Sequence, residues 1–316
     1  MPTTSKLHEP PPEAVATGVD ALEQMLRYSG RGYTVVRHIF LQLPDDVTDR
    51  AGLLGPMVTD RKRRSLQIYL LLLTIWPWLQ RRQAEEGPLP NKAWARALQT
   101  ETGRRWSATD VSNAWGDLEQ RGLITRKHLS RGVEVTPRRE DGKTEYTTPG
   151  GKKKDHRESY FILPGSFWRS GLFEKLSMPG LAMLLIIAGR TSESTEAWLT
   201  NKDAAKWYHI APRSIEAGIE NLRDHGLLLE RVEWVKAPLS SIGATQKHWY
   251  SLTGQFSTEA RNELRAQAQK EARARSASTK AVPTVSDGDN QTSDTAAEGV
   301  TATRTLKRRR KEKSGK

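Results

Sequence analysis

Apolar residues recur at helical spacing in two segments of this chain. Within residues 107–129, Val111, Ala114, Trp115 and Leu118 fall at i, i+3, i+4 and i+7, one face of an α-helix. Within residues 211–235, Ile215, Gly218, Ile219 and Leu222 repeat the spacing at a constant offset of 104 residues. Each segment opens on a turn, predicts a helix over 108–120 or 212–224, stops at Gly122 or Gly226, and continues as a strand. A glycine suits the positive φ that commonly ends a helix. The shared order and offset predict a duplicated unit.

The pattern extends upstream. Leu89-Pro90-Asn91-Lys92 and Leu199-Thr200-Asn201-Lys202 each open a short helix. Before them, residues 61–76 and 178–189 predict two strongly apolar helices, the second announced by Ser177 and Pro179. Residues 159–163 and 247–252 read as returning strands that close loops at 130–158 and 236–246. Residues 33–43 partly alternate, which suits a strand or hairpin arm, or else an extended arm on a partner subunit. Residues 258–276 predict a solvated helix with little apolar face. The expected class is mainly α with small β-hairpins (α+β). The expected domains are a disordered N-terminus (1–20), a first unit with a long basic wing (21–163), a second unit (164–256), a charged helix (257–276), and a disordered linker with basic tail (277–316).

A helix-turn-helix followed by a two-stranded hairpin is the order of a winged helix. Asn-Lys-x-Ala at residues 201–204 and Asn-Leu-x-x-x-Gly-Leu-Leu at residues 221–228 resemble winged helix-turn-helix DNA-binding proteins. Two such units in one chain resemble the tandem winged helices of plasmid and phage replication initiators. The Arg-, Ala- and Trp-rich style is similar to that of the actinobacterial kind. The resemblance spans roughly residues 61–252. It implies binding to double-stranded DNA, recruitment of host replication proteins, and no enzymatic step.

Net charge is +13 over 316 residues, with a pI near 9.9. Such a field attracts polyanions. Residues 300–316 alone carry +7, so the rest of the chain is only mildly basic. The absence of cysteine excludes disulfides, cysteine zinc fingers and thiol catalysis. The polar, proline-rich start does not read as a signal peptide. The longest apolar run is interrupted at Pro77 and is too short for a bilayer, which needs about 20 residues. The chain is therefore expected in the cytoplasm, without a membrane partner, and with homodimerisation open.

The candidate DNA contacts follow from the helix order. N-terminal residues of a recognition helix face base edges in the major groove. Here these are Thr109, Asp110 and Asn113, and their equivalents Arg213, Ser214 and Ala217. Asn113 suits adenine and Arg213 suits guanine, although Glu216 and Glu220 oppose close approach of phosphate. Lys92, Lys202, Arg104 and Arg105 are candidate phosphate contacts. Arg131, Arg138 and Arg139 belong to the expected basic wing. Four bases at 61–64 oppose the helix dipole and invite a phosphate or simple solvation.

No catalytic, cofactor or metal site is legible. Gly142-Lys143-Thr144 lacks the first glycine and strand–helix context of a P-loop. The seven His residues form no close ligand set. The alternatives to replication initiation are a transcriptional regulator, a nicking or recombination enzyme, and a partner-binding scaffold.

Overall fold

The computed structural model describes residues 14–100, 103, 105–149 and 157–280. The chain is mixed α and β, mostly helical, with three small antiparallel sheets. It opens with α1 (Gly18–Ser29), β1 (Tyr33–Arg37) and α2 (Leu54–Thr59). The first helix–hairpin unit follows: α3 (Arg63–Glu85), α4 (Asn91–Ala97), α5 (Ala108–Gln120), β2 (Ile124–Leu129) and β3 (Gly132–Pro137). After β4 (Tyr160–Pro164) and two single-turn helices, α6 (Ser166–Arg169) and α7 (Leu172–Lys175), the order recurs. The second unit is α8 (Met178–Arg190), β5 (Ala197–Trp198), α9 (Asn201–Tyr208), α10 (Pro212–Asp224), β6 (Leu228–Lys236) and β7 (Ala244–Leu252). Helix α11 (Thr258–Lys280) comes last.

Local chemistry explains the boundaries. Ser107 caps α5: its hydroxyl accepts from Asp110 N (3.1 Å), and the Asp110 carboxylate accepts from Ser107 N (2.9 Å). Ser177 caps α8 and Thr200 caps α9. Gly122 and Gly226 take φ of +74° and +66° after α5 and α10. The expected disorder over 1–20 is corrected at its end. A Thr17/Asp20 capping box starts α1 at Gly18, and Leu22, Met25 and Leu26 are buried. Helix α3 also runs through Pro77 rather than stopping there, since tertiary packing of its buried face outweighs the missing amide bond.

The first wing differs from expectation. Strand β2 pairs with β3, from Ile124↔Pro137 to Leu129↔Gly132, so the hairpin turns at Ser130-Arg131. The expected return strand instead pairs with β1, from Tyr33↔Pro164 to Arg37↔Tyr160. The chain after β3 folds back on the body. The Gly142 carbonyl lies 2.7 Å from where a Gly122 Cβ would stand, so neither glycine there is a mere flexible link. Glu140, between Arg139 and Asp141 in the expected wing, is fully buried against Arg37 (2.7 Å). The Gln83 side chain covers the outer edge of β3, bonding both Val135 N (3.2 Å) and Val135 O (3.3 Å). In the second unit β5 does that work against β7.

Buried residues of both units form one continuous core. Helices α8 and α10 meet closely at Gly218. A Cβ there would stand 2.5 Å from both Met183 Cγ and Pro179 O. Gly218→Ala should therefore destabilise the fold by about 1–3 kcal/mol, read as a lower urea midpoint, despite alanine's better helix propensity. The start of α11 is pinned rather than solvated. Arg261 is buried and donates to Ala188 O (2.7 Å), Thr191 O (2.9 Å) and Phe256 O (2.9 Å). Burial lowers its pKa to about 10. Further along, Leu264 and Ala268 pack on Tyr33, Val35 and Ile162.

Candidate nucleic-acid interface

Helix α5 is held from beneath by Val111, Ala114, Trp115 and Leu118. Trp115 meets Trp94 of α4 edge to face, with centroids 5.1 Å apart. That fixes which residues face out: Thr109, Ser112, Asn113, Gly116 and Gln120 form the opposite stripe. All five are uncharged. A Cβ added to Gly116 would meet nothing within 4 Å, so no packing demand explains a helix-weakening glycine there. Thr109 and Asn113 are the sequence-predicted members of this stripe; Ser112, Gly116 and Gln120 join them in the structure. The full i, i+3, i+4, i+7 complement of the buried stripe marks them.

The equivalent stripe on α10 is Arg213, Glu216, Ala217, Glu220 and Asp224, which is net acidic. Glu216 accepts from the Asn201 side chain (2.9 Å), tying α9 to α10. Asn91, at the matching place in α4, donates to Ala108 O (3.4 Å). Each short helix thus braces the helix after it through the same residue type. Ser214 is half-buried.

The proposed base contact Asp110 is committed elsewhere. Its carboxylate completes the α5 cap and pairs with Arg64. Three of the four bases at the start of α3 also have internal work. Arg64 lies 4.9 Å over the Trp106 ring and donates to Arg105 O (2.9 Å). Lys62 pairs with Asp117 (3.3 Å), and Arg63 donates to Glu174 O. Asp117 also bonds Arg121, and these partners outweigh burial to hold its carboxyl below the usual range. Anions are thus supplied by the protein itself. Arg61 is exposed at the rim of an open cleft of about 360 Å³, which Trp106, Asn113 and Asp117 also line.

The remaining candidates divide clearly. Lys92, Arg105, Arg131, Lys202 and Arg213 are exposed. Lys127 and His128 of β2, which no sequence motif marks, are exposed beside Arg131. Arg138 is half-buried and donates to Lys143 O (2.8 Å). Arg139 bonds Glu158 (3.0 Å) and Arg157 O (3.1 Å), which removes both from a projecting wing. Arg104 and Lys152–Lys154 lie outside the described residues, as does the basic tail.

No group of His, Asp or Glu among the described residues could hold a metal ion. No helix among them is long and apolar enough to cross a membrane. Comparison with protein families, curated proteins and solved structures finds no match.

Proposed function

We propose that the chain is a sequence-specific binder of double-stranded DNA built from two winged helices, with α5 as the principal reader. The carrying observation is the outward α5 stripe, in which Thr109, Ser112, Asn113 and Gln120 are exposed and Gly116 is half-buried. It offers hydroxyl and amide groups for base edges and carries no charge to repel phosphate. Gly116 leaves space for close approach, and the Ser107 cap and Trp115 packing hold the helix rigid. Lys92, Arg105 and Arg131 are exposed on the neighbouring elements of the same unit and supply phosphate contacts. On α10, Arg213 is the one basic residue of an acidic stripe. Its unit therefore makes the smaller contribution to base reading. Asp110, Arg138 and Arg139 serve the scaffold in this reading.

The resemblance in architecture to replication initiators of plasmids and mobile elements supplies the biological role. The protein binds repeated duplex sites and recruits host replication proteins, with no enzymatic step of its own. Footprinting on the DNA flanking its own gene tests this. Protection over direct repeats supports initiation; protection of a single promoter site supports regulation; no protection overturns DNA reading.

Variants locate the reader. Asn113→Ala should weaken the protected site by about 1–3 kcal/mol, concentrated at one base pair. Gly116→Ala should stabilise α5 by about 0.5–1 kcal/mol yet weaken the same site. Arg213→Ala should act at a different base pair, and less strongly than Asn113→Ala. Equal binding by all three variants would remove α5 and α10 from the interface.

A further inference from the structure

Strand β6 lies at the edge of the β5-β7-β6 sheet. It has nine residues, contains no proline, and is exposed from Leu229 to Trp234. Leu229, Val232 and Trp234 are 62%, 45% and 61% exposed, and Leu239 and Ile242 at the hairpin tip are more so. A long, exposed, proline-free edge of this kind, mixing apolar and charged residues, is a template for a strand of matching charge pattern.

The ladder says which backbone groups are on offer. Ala237 N donates to Gly243 O (2.9 Å), and Thr253 N donates to Leu227 O (3.1 Å). Both lie on the β6–β7 register, in which Val232 faces His248. Hydrogen-bonded pairs alternate along an antiparallel ladder, so Leu229, Arg231, Glu233 and Val235 bond to β7. Glu230, Val232 and Trp234 turn their N–H and C=O groups outward.

We infer that β6 pairs antiparallel with β6 of a second copy of this chain, about a two-fold axis through Val232. The charges select the copy and the register. Within one copy Arg231 pairs with Glu196 (2.7 Å) and lies 3.8 Å from Glu233, which accepts from Trp249 Nε1 (2.8 Å). Centred on Val232, Arg231 also lies opposite Glu233 of the other copy, twice by symmetry, so that the two pairs extend these charges across the seam. Val232 meets its own counterpart, and Leu229 meets Val235. A shift of the axis to Arg231 would oppose two arginines, and a shift to Glu233 two glutamates. The Val232-centred register also joins outward-facing residues to outward-facing residues, as backbone bonding requires. This surface is separate from the α5 stripe, so the inference does not depend on DNA reading. If both hold, each of the repeated sites is itself a pair of inverted half-sites.

Sedimentation of the full chain without DNA tests it. The expected species is a dimer of about twice the 35.6 kDa chain mass. Val232→Pro deletes an outward N–H that the monomer does not use, so the variant should fold, with an unchanged far-ultraviolet spectrum, and run as a monomer. Arg231→Glu and Glu233→Arg should each raise the dimer dissociation constant by about tenfold, through like charges face to face. Mixing these two variants should restore a dimer, because every cross-strand pair is then of opposite sign. A monomeric wild-type chain overturns the inference. So does a dimer that Val232→Pro leaves intact, or one that the mixed variants fail to restore.

Discussion

Arg37→Met should lower the unfolding free energy by about 3–5 kcal/mol, a fall in melting temperature on the order of 10 °C. Arg37 and Glu140 are both without solvent exposure, and their charged atoms are 2.7 Å apart. The guanidinium also donates to Glu158 (3.1 Å) and to Thr147 O (2.6 Å). Burial works against its charge, but Glu140 and Glu158 more than offset this and raise its pKa. Methionine fills much of the volume and leaves Glu140 buried without its cation. Removing one partner of a buried pair is the costly change; removing both is mild. Arg37→Met/Glu140→Leu should therefore recover most of the loss.

The pH dependence follows from the same pair. Burial pushes the Glu140 carboxyl above its ordinary value even with Arg37 beside it. Without Arg37 it rises further, so the folded variant holds a proton that the unfolded chain has released. Stability of the variant then falls as pH rises above the unfolded carboxylate's range. The penalty should be smaller near about pH 5 than near about pH 8. Urea unfolding of both chains at the two pH values measures it, and a pH-independent penalty would show that Glu140 stays ionised or finds another partner.

The second large effect is on DNA affinity. Lys92, Arg105, Arg131, Lys202 and Arg213 are exposed. If each neutralises one phosphate, log K should fall with log salt at a slope of about −4.5. Affinity should then drop roughly 500-fold between about 50 mM and about 200 mM salt. The tail adds to this: residues 300–316 carry +7. Deleting them should reduce the slope and weaken random and specific duplex alike, with site preference unchanged. Fluorescence anisotropy over a salt series reads both quantities. A slope near zero would argue against DNA as the partner.

Short-range signals carried most of the elements. Helices α5 and α10 begin and end where the apolar stripe, the Ser107 and Pro212 starts, and Gly122 and Gly226 place them. These depend on neighbours within one or two turns, and 3.6-residue periodicity reports them directly. Exposure of Thr109, Asn113 and Arg213 followed from the same stripe. Helix α1 carries the same short-range signals, in Thr17, Asp20 and the apolar Leu22, Met25 and Leu26, but its polar, proline-rich neighbours mask them.

Pairing over long separations was not legible. That β4 joins β1 rather than a wing depends on contacts more than a hundred residues apart, and strand composition does not name a partner. Charge was misleading for the same reason. A basic residue in sequence looks solvated or phosphate-bound until its carboxylate is found. Arg64 meets Asp110, Arg139 meets Glu158, and Arg37 meets Glu140, all three across gaps no local pattern spans. The sequence determined the helices, their caps and the exposed stripes, because those are set by nearest turns. The tertiary structure decided which charges remain at the surface and which strand edge stays open, because desolvation and pairing are properties of the assembled fold.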